Sequence, residues 1–112
     1  MLITHDLELA RAYAERIIVM HAGQIVEDAP AAALFANPRH PYSALLIAAT
    51  PARAHSVDGL SGIPGQTPDL DASTPACRFA NRCGRAEPHC RAEFPPLRVG
   101  AEGHGFHCWR PL

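Results

Sequence analysis

Apolar residues recur at helical spacing near the start of the chain. Leu7, Ala10, Ala14 and Ile17 fall near a three-to-four-residue period, and Asp6 just before them suits an N-cap, which predicts a helix over roughly residues 7–16. The pattern then changes. Ile17-Ile18-Val19-Met20 is rich in β-formers, His21-Ala22-Gly23 reads as a turn, and Gln24-Ile25-Val26-Glu27 resumes in extended form, so a β-hairpin is predicted. Pro30 opens a short helix over Ala31–Phe35, stopped by Asn37-Pro38. Pro41 opens a second one over Tyr42–Ala49, ended by Pro51. Met1–Thr4 is a short apolar run that reads as the end of a strand. A strand there has nothing before it to pair with, so it reads as a cut edge.

Beyond residue 50 the periodicity fades. Residues 51–112 hold all four Cys, seven of the eight Gly and eight of the eleven Pro, and are expected to be loop with one or two helical turns. The chain of 112 residues divides on this basis into 1–50, with the periodic segments, and 51–112, with the cysteines.

Charge excludes several functions. Ten basic residues against eleven acidic ones give a net charge of -1, so nothing pulls the whole surface toward nucleic acid, and no nucleic-acid partner is expected. All ten basic residues are Arg, which excludes a phosphate loop of the G-x-x-x-x-G-K-[ST] kind and a Schiff-base lysine. No apolar run approaches the ~20 residues of a bilayer span. The first residues lack the basic and long apolar parts of a signal peptide, so a cytoplasmic location is expected. In that compartment four cysteines favour metal binding or free thiols over disulfides.

Several motifs now fall into one order. Ile3-Thr4-His5-Asp6-Leu7, a helix, and Arg16-Ile17-Ile18-Val19-Met20-His21-Ala22-Gly23-Gln24-Ile25-Val26-Glu27 together resemble the end of an ABC transporter ATPase domain, with its switch-histidine loop and following hairpin. Phe35-Ala36-Asn37-Pro38-Arg39-His40-Pro41-Tyr42-Ser43-Ala44-Leu45-Leu46 is similar to the NPxHPYTxxLL segment of the oligopeptide/dipeptide branch. Ile63-Pro64-Gly65-Gln66-Thr67-Pro68-Asp69-Leu70 resembles its IPGxxPDL element, and Cys77-Arg78-Phe79-Ala80-Asn81-Arg82-Cys83 its CxFxxRC element.

The resemblance implies a fold: the truncated C-terminal edge of an α/β ABC-type (P-loop NTPase) nucleotide-binding domain over 1–50, then an irregular Cys-rich metal-binding extension over 51–112. It implies that His5 is the switch histidine, which reaches the γ-phosphate and helps place the attacking water. An imidazole suits that task because it offers a directional N–H near neutral pH. The phosphate loop, the glutamine loop and the Asp-Glu strand are not in this sequence, so ATP and Mg are expected only with an upstream region. No ATPase activity is expected of these residues alone. Leu60-Ser61-Gly62-Ile63-Pro64-Gly65-Gln66 is a decoy for the LSGGQ signature: it follows His5 instead of preceding it, and Pro64 removes an N–H that phosphate would need. In the complete protein the implied partners are transmembrane permease subunits and a second ATPase subunit. The implied location is the inner face of the cell membrane, and the implied solute an oligopeptide, a dipeptide or nickel.

Cys77-x5-Cys83-x6-Cys90-x17-Cys108 lacks the close C-x2–4-C knuckle usual in structural zinc sites. Four thiolates on Pro- and Gly-rich loops are compatible with an iron–sulfur cluster, and the resemblance implies one of the 4Fe–4S type. Zinc, disulfides and free thiols stay open on spacing alone. Arg78, Arg82, Arg85 and Arg91 are close in sequence and are expected to offset cluster charge and lower the thiol pKa values. His89, His104 and His107 are alternative ligands, read more simply as loop residues, while Phe106 and Trp109 are expected to cover the site. Two other classes compete with the ATPase-fragment reading. One is a stand-alone metal module for redox sensing or docking, and the other a non-functional remnant.

Overall fold

A hairpin of unequal strands organises the molecule. The structure, a computed structural model, describes residues 1–51, 62–69 and 74–112. Strand β1 (Arg16–His21) runs antiparallel to β2 (Gln24–Pro30). Branched Ile17, Ile18 and Val19 favour the pleated backbone, and alternation buries Ile17, Val19 and His21 while exposing Arg16, Ile18 and Met20. Ala22 and Gly23 turn the chain with φ of 48° and 82°. Two successive left-handed residues make the tight loop whose twist matches the flanking strands. Val19 faces Glu27 but Met20 faces Ile25, so Val26 is an extra residue, a β-bulge.

Helix α1 (Leu7–Tyr13) precedes the hairpin. The Asp6 carboxylate accepts the N–H groups of Glu8 and Leu9 at 3.0 Å each, as its N-cap position anticipates. The helix is shorter than the expected 7–16 because Ala14 is already extended (φ −88°, ψ 135°) and leads into β1. Helices α2 (Ala31–Ala36) and α3 (Pro41–Ala48) follow β2. The core lies between these helices and the inner face of the hairpin: Ile17, Val19, Val26, Ala29, Leu34, Phe35 and Ile47. Fully buried Leu34 alone is worth about 1.5–3 kcal/mol relative to exposure.

The later residues add more order than the sequence suggests. A 3₁₀ turn at Ala80–Arg82 and a five-residue helix, α4 (Pro88–Ala92), carry the middle cysteines' neighbourhood. Two short strands, β3 (Arg98–Val99) and β4 (Gly105–Phe106), extend the hairpin into a four-stranded sheet of order β1-β2-β4-β3. Strand β4 pairs with β2 through Glu27–Phe106 and Asp28–Gly105. A side chain at Gly105 would come within 3.1 Å of Leu97 Cδ1, so glycine permits this approach. Strands of two residues carry no readable periodicity, and the sequence gives no sign of them.

One expectation needs correction. Met1–Thr4 forms no strand, and Met1, Leu2 and Ile3 are exposed, because no described strand lies alongside them to supply hydrogen bonds. Part of the decoy (Leu60, Ser61) and the end of the Ile63–Leu70 element (Leu70) lie outside the described residues. Among the described residues no helix is long and apolar enough to cross a membrane.

Candidate functional site

The four cysteines come from three places and meet at one cavity. Cys77 precedes the 3₁₀ turn and Cys83 follows it, Cys90 lies in α4, and Cys108 follows β4. The Cys77 N–H donates to the Cys90 carbonyl at 3.1 Å, which ties the first loop to α4. All four border the same cavity, together with His40, Phe79, Pro95, Trp109, Arg85 and Arg110. All four are free thiols, with Cys90 and Cys108 buried.

Their electrostatics differ from the sequence expectation. Burial pushes the Cys77 thiol up, and the neighbouring Cys90 and Cys83 push the same way. Cys108 is raised to about 11, first by burial and then by the other three cysteines, although a hydrogen bond from the Arg110 backbone opposes this. The arginines do not lower these values because most of them point elsewhere. Arg78 Nη1 donates to the Ala22 carbonyl at 2.6 Å, and Arg82 spans the Ile63 and Pro64 carbonyls at 2.9 Å. Arg91 is exposed. Only Arg85 of the four borders the cavity.

Among the described residues no three His, Cys, Asp or Glu side chains are gathered so as to hold a metal ion. The expected metal centre therefore has no counterpart as a tight ligand set. A single zinc with Zn–S of about 2.3 Å needs its thiolates within roughly 4 Å of one another. The alternative histidine ligands are committed elsewhere. His89 pairs with Glu93 and stacks on Trp109 at 4.0 Å, His104 pairs with Glu27, and His107 Nδ1 donates to the Pro95 carbonyl at 2.9 Å. Trp109 borders the cavity as expected. Phe106 does not; it lies in β4 under the Arg39 guanidinium, 5.3 Å away.

A buried polar network behind the cavity escaped the sequence reading. Glu27 is fully buried in β2. Its carboxylate accepts the Arg39 N–H at 2.6 Å and the His40 N–H at 2.9 Å, and it meets His104 Nε2 at 2.5 Å. His40 caps α3, with Nδ1 accepting the Tyr42 N–H at 3.0 Å. Burial, reinforced by His21 and His107, holds its pKa down at about 4, so its imidazole is neutral at pH 7. Phe79, almost fully buried, packs its ring against His21, His40 and Tyr42 at centroid distances of 5.2, 6.0 and 5.3 Å. The Gln24 side chain reaches from the hairpin to the cysteine loop, donating to the Ala76 carbonyl at 2.9 Å and accepting the Arg78 N–H at 2.8 Å. The signal for these residues was slight: one acid in an apolar strand, and a histidine before Pro at a helix start.

His5 stands apart from this assembly. It is exposed at a bend one residue before the N-cap of α1.

Comparison with known proteins places the chain in a family. Residues 26–90 match the family described as "Oligopeptide/dipeptide transporter, C-terminal region", and the chain belongs to it. It is 43% identical over 112 residues to the dipeptide transport ATP-binding protein DppD of Escherichia coli (strain K12), covering 100% of this chain and 34% of that relative. It is 42% identical over 111 residues to the probable peptide ABC transporter ATP-binding protein y4tR of Sinorhizobium fredii, covering 98% and 33%. The oligopeptide transport ATP-binding protein AppD of Bacillus subtilis (strain 168) is 39% identical over 109 residues, covering 97% and 33%. The chain thus spans about a third of the length of these curated relatives.

Proposed function

We propose that these residues serve as the C-terminal part of the ATP-binding subunit of a peptide ABC importer, with 1–50 as the ATPase edge and 51–112 as the cysteine extension. The observation that carries this reading is identity of 43% along the whole chain to a dipeptide transport ATP-binding protein. The names of the reported relatives speak for peptides and not for nickel. His5 is the switch histidine of this reading, and its exposure at the end of a loop suits a residue that must reach a phosphate outside these elements. The complete protein would bind ATP with Mg, pair with a second ATPase subunit and drive membrane permease subunits from the cytoplasmic face.

Cys77, Cys83, Cys90 and Cys108 are assigned in this proposal as ligands of a 4Fe–4S cluster. The donor set fits: four free thiols border one cavity, and among the described residues no carboxylate borders it. A four-iron cluster takes one thiolate per iron, and four cysteines border the cavity. When bound, such a cluster supplies one-electron redox chemistry and ties the loops together. The chain's own residues fix its surroundings: Phe79 and Trp109 exclude water, and the Cys77–Cys90 backbone bond sets two ligands side by side. A stand-alone module is disfavoured because β4 of the extension pairs with β2 of the hairpin.

Two measurements test the proposal. Replacing the matching third of the Escherichia coli relative with this chain should preserve dipeptide uptake, and His5→Ala in that hybrid should lower ATP turnover by roughly 10²-fold or more. A hybrid that turns over equally well without His5 removes the switch assignment. For the cluster, anaerobic purification should yield iron and sulfide that Cys90→Ser abolishes; equimolar zinc without iron refutes it.

A further inference from the structure

We infer that Thr4 is a positioning residue for His5, its side-chain hydroxyl holding the loop that presents the imidazole. The inference rests on the reading of His5 as the switch histidine above. The Asp6 N–H donates to Thr4 Oγ1 at 3.0 Å, which closes a short hydrogen-bonded turn with His5 at its centre. Asp6 is in turn tied to α1. Its carboxylate accepts the Glu8 and Leu9 N–H groups at 3.0 Å each, and its carbonyl accepts the Ala10 N–H at 3.1 Å.

The anchoring continues into the core. Leu7 and Ala10 of α1 and Ala14 at its C-cap pack against the hydrophobic cluster, and the Arg11 guanidinium lies 5.5 Å from the centre of the Phe35 ring. The backbone at His5 is thus linked to the core through a series of contacts, while its side chain stays exposed. The Thr4 hydroxyl is the outermost link of that series. Threonine suits the place, because a β-branched side chain has few χ1 states and keeps its oxygen over the turn. A side chain that must meet a phosphate held by other elements gains from a fixed loop. Catalysis by positioning is lost when the competent geometry becomes one of many.

Thr4→Val keeps the branched shape and loses the acceptor, whereas Thr4→Ser keeps the acceptor. In the hybrid subunit described above, Thr4→Val should lower kcat for ATP about threefold to tenfold, the population shift that one exposed hydrogen bond can hold, with KM unchanged. Thr4→Ser should restore most of that rate. In a His5→Ala background Thr4→Val should change nothing further, because the loop then has no imidazole to present. A loss of the same size in that background, or one that serine fails to rescue, overturns the positioning role. If His5→Ala lowers turnover and Thr4→Val leaves kcat intact, the role of Thr4 is overturned and the switch assignment stands. If His5→Ala itself leaves turnover intact, both fall. The 112-residue chain gives a second test. Thr4→Val should speed amide exchange at Asp6 and leave the thermal midpoint unchanged, and unaltered exchange at Asp6 also overturns the role.

Discussion

Nε2 of His104 lies 2.5 Å from Oε1 of Glu27, a buried contact between residues 77 positions apart. It fastens the segment leading into β4 to the centre of β2, at the carboxylate that also holds the start of α3. Three otherwise distant parts of the chain thus share one acceptor.

Removing that acceptor should be severe. Glu27→Ala leaves His104 and two backbone N–H groups without their partner in a buried place, a loss of about 3–5 kcal/mol. Urea unfolding should show the fall. His104→Ala should cost less, because the two backbone donors still satisfy the carboxylate.

Stability of the thiol form should decline with acid. His40 titrates at about 4 when folded and near 6.5 when unfolded, so between those values the unfolded chain binds more protons. The contribution is complete above about pH 6.5 and is lost as pH falls toward 4, amounting to about 3 kcal/mol. His21, lowered by burial and then by Arg82, adds in the same direction. Unfolding midpoints measured across this range in the chain and in His40→Asn should differ in slope, with the variant flatter.

Gln24 should matter to the cysteine loop more than to the hairpin that carries it. Gln24→Ala removes two hydrogen bonds to the backbone beside Cys77, worth about 1–2 kcal/mol together. Amide exchange should accelerate at Arg78 while β1 keeps its protection.

Phe79 joins the hairpin, α3 and the cysteine loop through three ring contacts. Phe79→Ala should destabilise by about 3–5 kcal/mol, whereas Phe79→Leu should recover much of the loss; thermal unfolding measures both.

The parts legible in the sequence were those with local causes. Ile17-Ile18-Val19 followed by Ala22-Gly23 announces a hairpin, Asp6 announces a helix start, and Pro41 another. The cysteines were visible as a set, but their meeting at one cavity depends on α4 and β4, which are too short to leave a period. The roles of Glu27, Gln24 and His40 were illegible for a different reason. Each is one polar residue in an apolar stretch, and for Glu27 and Gln24 the decisive partners come from far along the chain, 77 positions for Glu27 and 52 for Gln24. The arginines misled because proximity in sequence says nothing of direction: Arg78 and Arg82 turn to carbonyls of other loops.

The extra residue at Val26 sets the phase of everything after it in β2. It lets Val26 and Glu27 both turn inward, although a regular strand would send one of them out. Shortening the hairpin by a single residue would rotate the carboxylate to the solvent side and strip Arg39, His40 and His104 of their common anchor. In this segment length is therefore more tightly constrained than identity, and a one-residue deletion should be worse than any single substitution within β2.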